Sequence, residues 1–144
     1  MKLCNVFGGT QITEFNYRLA DQSIANVLVG IKTADEDAFK VLSNKLTKSK
    51  FKYTDLTKNQ ISNDHLRHMV GGHNSGIVEN DSERLFRCQF PERPRALLNF
   101  LNDFGTKWNI SLFHYRNLGA AFANILIGIE DKGKSSAALD KHLK

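Results

Sequence analysis

The sequence predicts an α+β fold of two tandem ferredoxin-like units, each an antiparallel sheet with helices packed on one face, and each truncated at one end. Three observations carry it. The strings FNYR (Phe15 to Arg18) and ANVLVGI (Ala25 to Ile31) return as FHYR (Phe113 to Arg116) and ANILIGI (Ala123 to Ile129). The two copies also keep one register, because the offset that carries Phe15 to Phe113 carries Ile12 to Ile110, Tyr17 to Tyr115, Arg18 to Arg116 and Gly30 to Gly128. Such self-similarity marks a duplicated structural unit. Finally, apolar spacing switches along the chain between a period of two and a helical period, in the order a ferredoxin-like unit requires.

Taken in order, NVFGG reads as the last turn of a helix closed by glycine. ITEFNYRL alternates, so Phe15 and Tyr17 point to one face of a strand while Asn16 and Arg18 point to the other. ANVLVGI is continuously apolar, which predicts a strand covered on both faces, with Gly30 at a bulge or close approach. LADQSI between them is short enough for a hairpin. Phe39, Leu42 and Leu46 fall on one stripe of a helix starting near Asp35. FKYTDLT then reads as a strand, and NDHLRHMVGG as a short helix capped by Asn63 or Asp64 and stopped by its glycines. HNSGIVENDSE is polar and turn-rich, the signature of a linker.

Beyond the linker, RLFRCQF alternates with Phe86, Cys88 and Phe90 on one face. PERPRALLNFLNDFG begins a helix near Pro94, sets Leu97, Leu101 and Phe104 toward a core, and stops at Gly105. ISLFHYRN and ANILIGI repeat the hairpin, with His114 at the place of Asn16, and Leu139 and Leu143 mark a final helix. The predicted boundaries are 1–73 for the first unit, 74–83 for the linker and 84–144 for the second. The first unit lacks an opening strand and most of a helix, the second lacks a last strand, and both gaps predict a piece of a longer ancestor.

The 144 residues carry 41% hydrophobic and 24% charged side chains with ten Phe, a composition that excludes intrinsic disorder. No apolar run approaches the ~20 residues of a membrane span, and MKLCNVFGG is no signal peptide, so a cytoplasmic location without a membrane partner is expected. Cys4 and Cys88 exclude a disulfide framework and read as inert core residues. The net charge of +5 raises the question of nucleic acid. Its densest source, Lys45, Lys48, Lys50, Lys52 and Lys58, reads as a solvated helix end, and no RNA-binding signature is present.

Four strings carry a resemblance that periodicity does not supply: FGGTQITEFNYR, HLRHMVGG, FPERPRALLNFL and GTKWNISLFHYRN. Together they resemble the C-terminal regulatory region of biosynthetic threonine dehydratase (threonine deaminase) over nearly the whole chain. The resemblance implies a tandem pair of ACT-like subdomains that bind isoleucine and valine and give allosteric feedback control of isoleucine biosynthesis. It further implies that the pyridoxal phosphate cofactor and the catalysis belong to a catalytic domain N-terminal to this region. This chain is therefore expected to be a regulatory fragment, no enzyme by itself, without a cofactor or metal of its own, with that catalytic domain as its partner.

By the same resemblance Tyr17, Arg18, Arg67, Tyr115 and Arg116 are effector-linked. A free branched amino acid needs donors for its carboxylate, acceptors for its ammonium and an apolar wall. Against this stands a plain reading of each FxYR strand, with Tyr at the core edge and Arg as an exposed partner. Arg95 occupies a position where ACT-like sequences often carry Gly. Asn26 and Asn124 suit turns, Trp108 suits packing between helix and strand, and His65, His68 and His73 lack the spacing of a metal site. The alternatives to an effector domain are an inactive or purely structural fragment that oligomerises through bare sheet edges, and an RNA-binding ferredoxin-like module.

Overall fold

A computed structural model describes residues 2–21, 23–65, 83–93, 95–105, 107–117, 119, 121–130 and 136–142. Helix α1 (Lys2–Phe7) is closed by Gly8, whose φ of 57° is the left-handed conformation a glycine takes without strain. Strands β1 (Gln11–Arg18) and β2 (Val27–Lys32) form the first hairpin, followed by α2 (Glu36–Lys48) and α3 (Gln60–His65). The second unit runs β3 (Glu83–Pro91), α4 (Ala96–Gly105), β4 (Ile110–Arg116), β5 (Phe122–Glu130) and α5 (Ser136–His142).

The two units share one five-stranded antiparallel sheet in the order β2-β1-β4-β5-β3. Within the second unit the order β4-β5-β3 is what a ferredoxin-like βαββα segment produces. The units meet where β1 pairs with β4, in the register Glu14 with Arg116, Phe15 with Tyr115, Asn16 with His114, Tyr17 with Phe113 and Arg18 with Leu112. Asn16 and His114 are counterparts in the repeat, so a pseudo-twofold axis passes between them. Duplication thus produced a seam, with each copy's strand lying antiparallel to its own repeat.

Helices α1, α2, α4 and α5 supply one face. Phe15, Phe113, Tyr115, Ile125, Ile127 and Ile129 turn toward Leu97, Leu98, Leu101 and Phe104 of α4 and Leu139 of α5, while Phe7 gathers with Leu42 and Leu46 of α2. Leu101, Ile127, Ile129 and Leu139 are wholly enclosed, and each contributes about 2 kcal/mol of transfer free energy. Phe15 meets Phe113 edge-on at 5.8 Å across the seam, which ties the two units' cores into one. Trp108 packs beside Phe104 and His142, between α4 and α5.

Three local expectations need correction. FKYTDLT forms no strand, because its polar groups are already used: Phe51 N–H bonds the Leu46 carbonyl at the end of α2, Tyr53 hydroxyl meets Ser43, and Asp55 accepts from Thr57 N at 2.9 Å. Helix α3 starts earlier than expected, with the Asn59 side chain accepting from Ser62 N at 2.9 Å in place of an Asn63 or Asp64 cap. The apolar strand β5 is covered on one face only, since it alternates buried and exposed residues and leaves Phe122 and Leu126 52% and 42% exposed, while β2 is half-buried from Val27 to Ile31. The body of HLRHMVGG, the linker up to residue 82, Pro94 and Leu143 lie outside the described residues.

The repeated glycines have one cause. Irregular pairing breaks β1 between Ile12 and Glu14 and β4 between Ile110 and Leu112, so Thr13 and Ser111 bulge toward the neighbouring strand. A Cβ on Gly30 would stand 2.9 Å from Thr13 Oγ1, and one on Gly128 would stand 2.8 Å from Ser111 Oγ. Glycine is therefore set at both positions by the opposing bulge.

Candidate functional site: the two faces of the seam

Strand alternation separates the residues that each YR dipeptide places side by side. Tyr17 and Tyr115 turn their side chains toward the helices, while those of Arg18 and Arg116 emerge on the open face, so the two side chains of a dipeptide do not meet one ligand on one face. Arg67 lies outside the described residues. Four of the five predicted effector-linked residues thus converge on one seam, two on each side of the sheet.

On the helix face Tyr115 is a pin. Its ring is enclosed, stacked 6.3 Å from Phe90, and its hydroxyl lies 3.2 Å from the Ile12 carbonyl oxygen and 3.0 Å from Glu92 Oε1. Burial first, and then Glu92, push the phenol far above the usual tyrosine range. Tyr17 is half-buried, and its phenol is pushed up by burial and by the Glu130 carboxylate. The second Glu92 oxygen is enclosed without a hydrogen-bond partner among the described residues. Truncating Tyr115→Phe strips the other oxygen as well, for an expected loss of about 2 kcal/mol in urea unfolding.

That variant also carries a pH signature. The folded-state phenol pKa is raised, so its contribution is whole below the unfolded value of about 10 and is lost as pH rises from there toward the folded pKa. Unfolding free energy of the parent protein is expected to fall with pH above about 10 more steeply than that of Tyr115→Phe. Parallel slopes would show that Tyr115 ionises in the folded protein as it does in water.

On the open face the two arginines differ. Arg18 holds Glu83 of β3 in a two-pronged pair at 2.7 and 3.1 Å, both side chains nearly enclosed, and Ser111 Oγ donates to the same Glu83 oxygen at 2.5 Å. This latch crosses β4 and β5 and ties the first unit to the second. Arg116 is exposed and has no ion pair among the described residues. It opens on a basin of about 410 Å³ whose walls include Glu14, Asn16, His114, Asn124 and Leu126. Glu14 and Asn16 are 6% and 4% exposed, and Asn16 Nδ2 donates to Glu14 Oε1 at 2.8 Å. Nothing in the repeat announces this carboxylate, because its counterpart is Leu112; the register of the seam places it opposite Arg116.

A larger hollow of about 640 Å³ is lined by Asp55, Lys58, Asn59, Gln60 and Ile61. It belongs to one short segment and gathers no residue from the sheet. At the β3–α4 corner Arg95 is exposed with a φ of 67°, a left-handed conformation that glycine adopts without strain. The strand aromatics Phe15, Tyr17, Phe113 and Tyr115 lie under the helices, so the open face does not present them as a stack for RNA bases. Every lysine whose exposure is described is exposed, which does not fit the enclosed, desolvated amine that pyridoxal phosphate requires for a Schiff base. No helix among the described residues is long and apolar enough to cross a membrane.

Comparison with known proteins gives a consistent picture. A family described as the C-terminal regulatory domain of threonine dehydratase matches residues 1–66 and 74–144. L-threonine dehydratase biosynthetic IlvA of Burkholderia multivorans is 39% identical over 142 residues, covering 99% of this chain and 27% of that protein. The Escherichia coli protein of the same name is 40% identical over 131 residues, covering 90% and 25%. Threonine dehydratase biosynthetic, chloroplastic, of Arabidopsis thaliana is 42% identical over 131 residues, covering 90% and 21%. The chain thus spans about a quarter of the length of the curated relatives it matches.

Proposed function

The chain belongs to the family of C-terminal regulatory domains of threonine dehydratase, and from that membership we propose that it is an amino-acid sensor binding isoleucine and valine. Its two subdomains, residues 1–73 and 84–144, serve a catalytic domain that carries the pyridoxal phosphate chemistry of deamination. The polypeptide itself binds and does not catalyse.

The observation that carries this reading is the β1–β4 seam. Two copies of one strand, each ending in Tyr and Arg, pair antiparallel about the Asn16 and His114 axis. A ligand at such a junction touches both units, so its binding energy depends on how they are set against each other. Isoleucine favouring one setting and valine another is sufficient for feedback, because a ligand moves an equilibrium only by its difference in affinity for the two states. A coupled catalytic domain senses the setting.

The test is a thermal melt of the chain with L-isoleucine, L-valine or L-threonine. At a hundredfold excess over its dissociation constant a native-state ligand adds about 2.7 kcal/mol, which raises the midpoint by roughly 5 to 15 °C. A rise confined to isoleucine and valine is expected. A folded protein indifferent to all three would end the sensor reading and leave the chain an architectural piece.

A further inference from the structure

We propose that the open-face basin is the seat of the α-amino acid, with its carboxylate on Arg116 and its ammonium on Glu14. This rests on the sensor reading, and it moves the recognition of charge away from the two tyrosines.

The fold itself displays how an arginine at this place takes a carboxylate. Arg18 and Arg116 are repeat counterparts in matching surroundings. Leu19 N bonds the Ser111 carbonyl at 2.7 Å on one side of the axis, and Asn117 N bonds the Thr13 carbonyl at 2.8 Å on the other. Both arginines stand beside a bulge and its facing glycine. At Arg18 the site is filled from within by Glu83. At Arg116 no internal carboxylate forms an ion pair among the described residues, and the side chain borders the basin.

What surrounds Arg116 selects a zwitterion. Glu14 lies opposite it on β1 and Asn124 opposite it on β5, so an acceptor and donors follow one another across adjacent strands about 4.8 Å apart. That step suits an ammonium and a carboxylate carried on one carbon. A simple carboxylate at Arg116 would face the Glu14 charge, and a simple amine at Glu14 would face the Arg116 charge; the amino acid satisfies both. Arg87 Nη2 sits 3.4 Å from Asn124 Oδ1, orienting that amide, and the half-exposed Leu126 offers a wall for an aliphatic side chain. Because the counterpart of Glu14 is Leu112 and Glu83 occupies Arg18, the other half of the seam lacks both features. The chain therefore binds one amino acid and not two.

Calorimetry on the whole chain, using L-isoleucine, its des-amino analogue 3-methylpentanoate and its decarboxylated analogue 2-methylbutylamine, is the test. One isoleucine per chain is expected, with both analogues weaker by roughly tenfold or more, as loss of a charge-assisted contact implies. Arg116→Ala should weaken isoleucine similarly, and Glu14→Gln should weaken isoleucine while leaving or improving 3-methylpentanoate. Amide NMR shifts of the unsubstituted protein serve where a variant fails to fold, and they should cluster at Asn16, Arg116, Asn124 and Leu126. Isoleucine binding with shifts elsewhere, or with unchanged affinity in both variants, overturns this site and leaves the sensor reading intact. Two equal sites per chain would also overturn it. The absence of heat and shifts with isoleucine and valine removes both readings together.

Discussion

Gly128→Ala is expected to cost the fold about 3 kcal/mol, read as a fall in the urea midpoint without a change of slope. The added methyl would stand 2.8 Å from Leu112 Cβ, 2.8 Å from Ser111 Oγ and 2.9 Å from Glu83 Oε1. Leu112 Cβ is fixed to the backbone of β4 and cannot swing aside, so the strand itself has to move. Ser111 and Glu83 belong to the latch that ends on Arg18, and pushing them apart loosens the tie between units as well as the local ladder. Gly30→Ala meets Thr13 Oγ1 at 2.9 Å and Glu14 Cβ at 3.0 Å. It is expected to cost about 2 kcal/mol, an overpacking penalty alone. A Gly128→Ala protein within 0.5 kcal/mol (roughly the scatter of surface substitutions) of its parent would mean that the bulge yields freely.

Glu83→Ala is the second large effect, an expected loss of about 3 kcal/mol. The side chains of Arg18 and Glu83 are only 13% and 12% exposed, so removing the carboxylate leaves a guanidinium largely out of water without its partner. Ser111, wholly enclosed, loses its acceptor at the same stroke. Glu83→Gln retains an oxygen for Ser111 and is expected to lose about half as much. The double change Arg18→Met with Glu83→Leu should recover most of the loss, because two well-packed apolar side chains replace a buried pair at little net cost. Single and double variants with additive, small effects would show that the pair is solvated and holds nothing. Hydrogen exchange should report the functional side of the same event, as amides along β1 and β4 lose protection when the units are no longer tied.

Both predictions concern residues of different legibility. Gly128 was visible as half of a repeated glycine in an apolar strand, an expected bulge or close approach, and the structure supplies the bulging neighbour. Glu83 stood unremarked at the end of a polar linker. Its partner Arg18 is 65 residues away, and no local pattern marks a carboxylate that reaches back across two strands. FKYTDLT shows the opposite failure. Its alternation is that of a strand, yet the end of α2 and the Asp55 turn claim its polar groups first, and propensity yields to the bonds already made. The apolar runs of β2 and β5 suggested burial on both faces because Val, Leu and Ile serve an exposed strand position as readily as a core one.

Sequence alone determined that there are two copies of one unit, where most of their strands and helices lie, and that Tyr and Arg of each FxYR strand part to opposite faces. These follow from short-range geometry: the pleat alternates at every residue and a helix returns every 3.6, whatever the rest of the chain does. The repeat likewise settled that Arg18 and Arg116 begin as equals. Only the tertiary structure decided that they end as different groups, one closed by Glu83 and the other facing Glu14 across an open basin. The reason is that the seam is a pairing between distant strands, and its register, its bulges and the reach of one long carboxylate depend on how both units pack, information that no window of neighbouring residues contains.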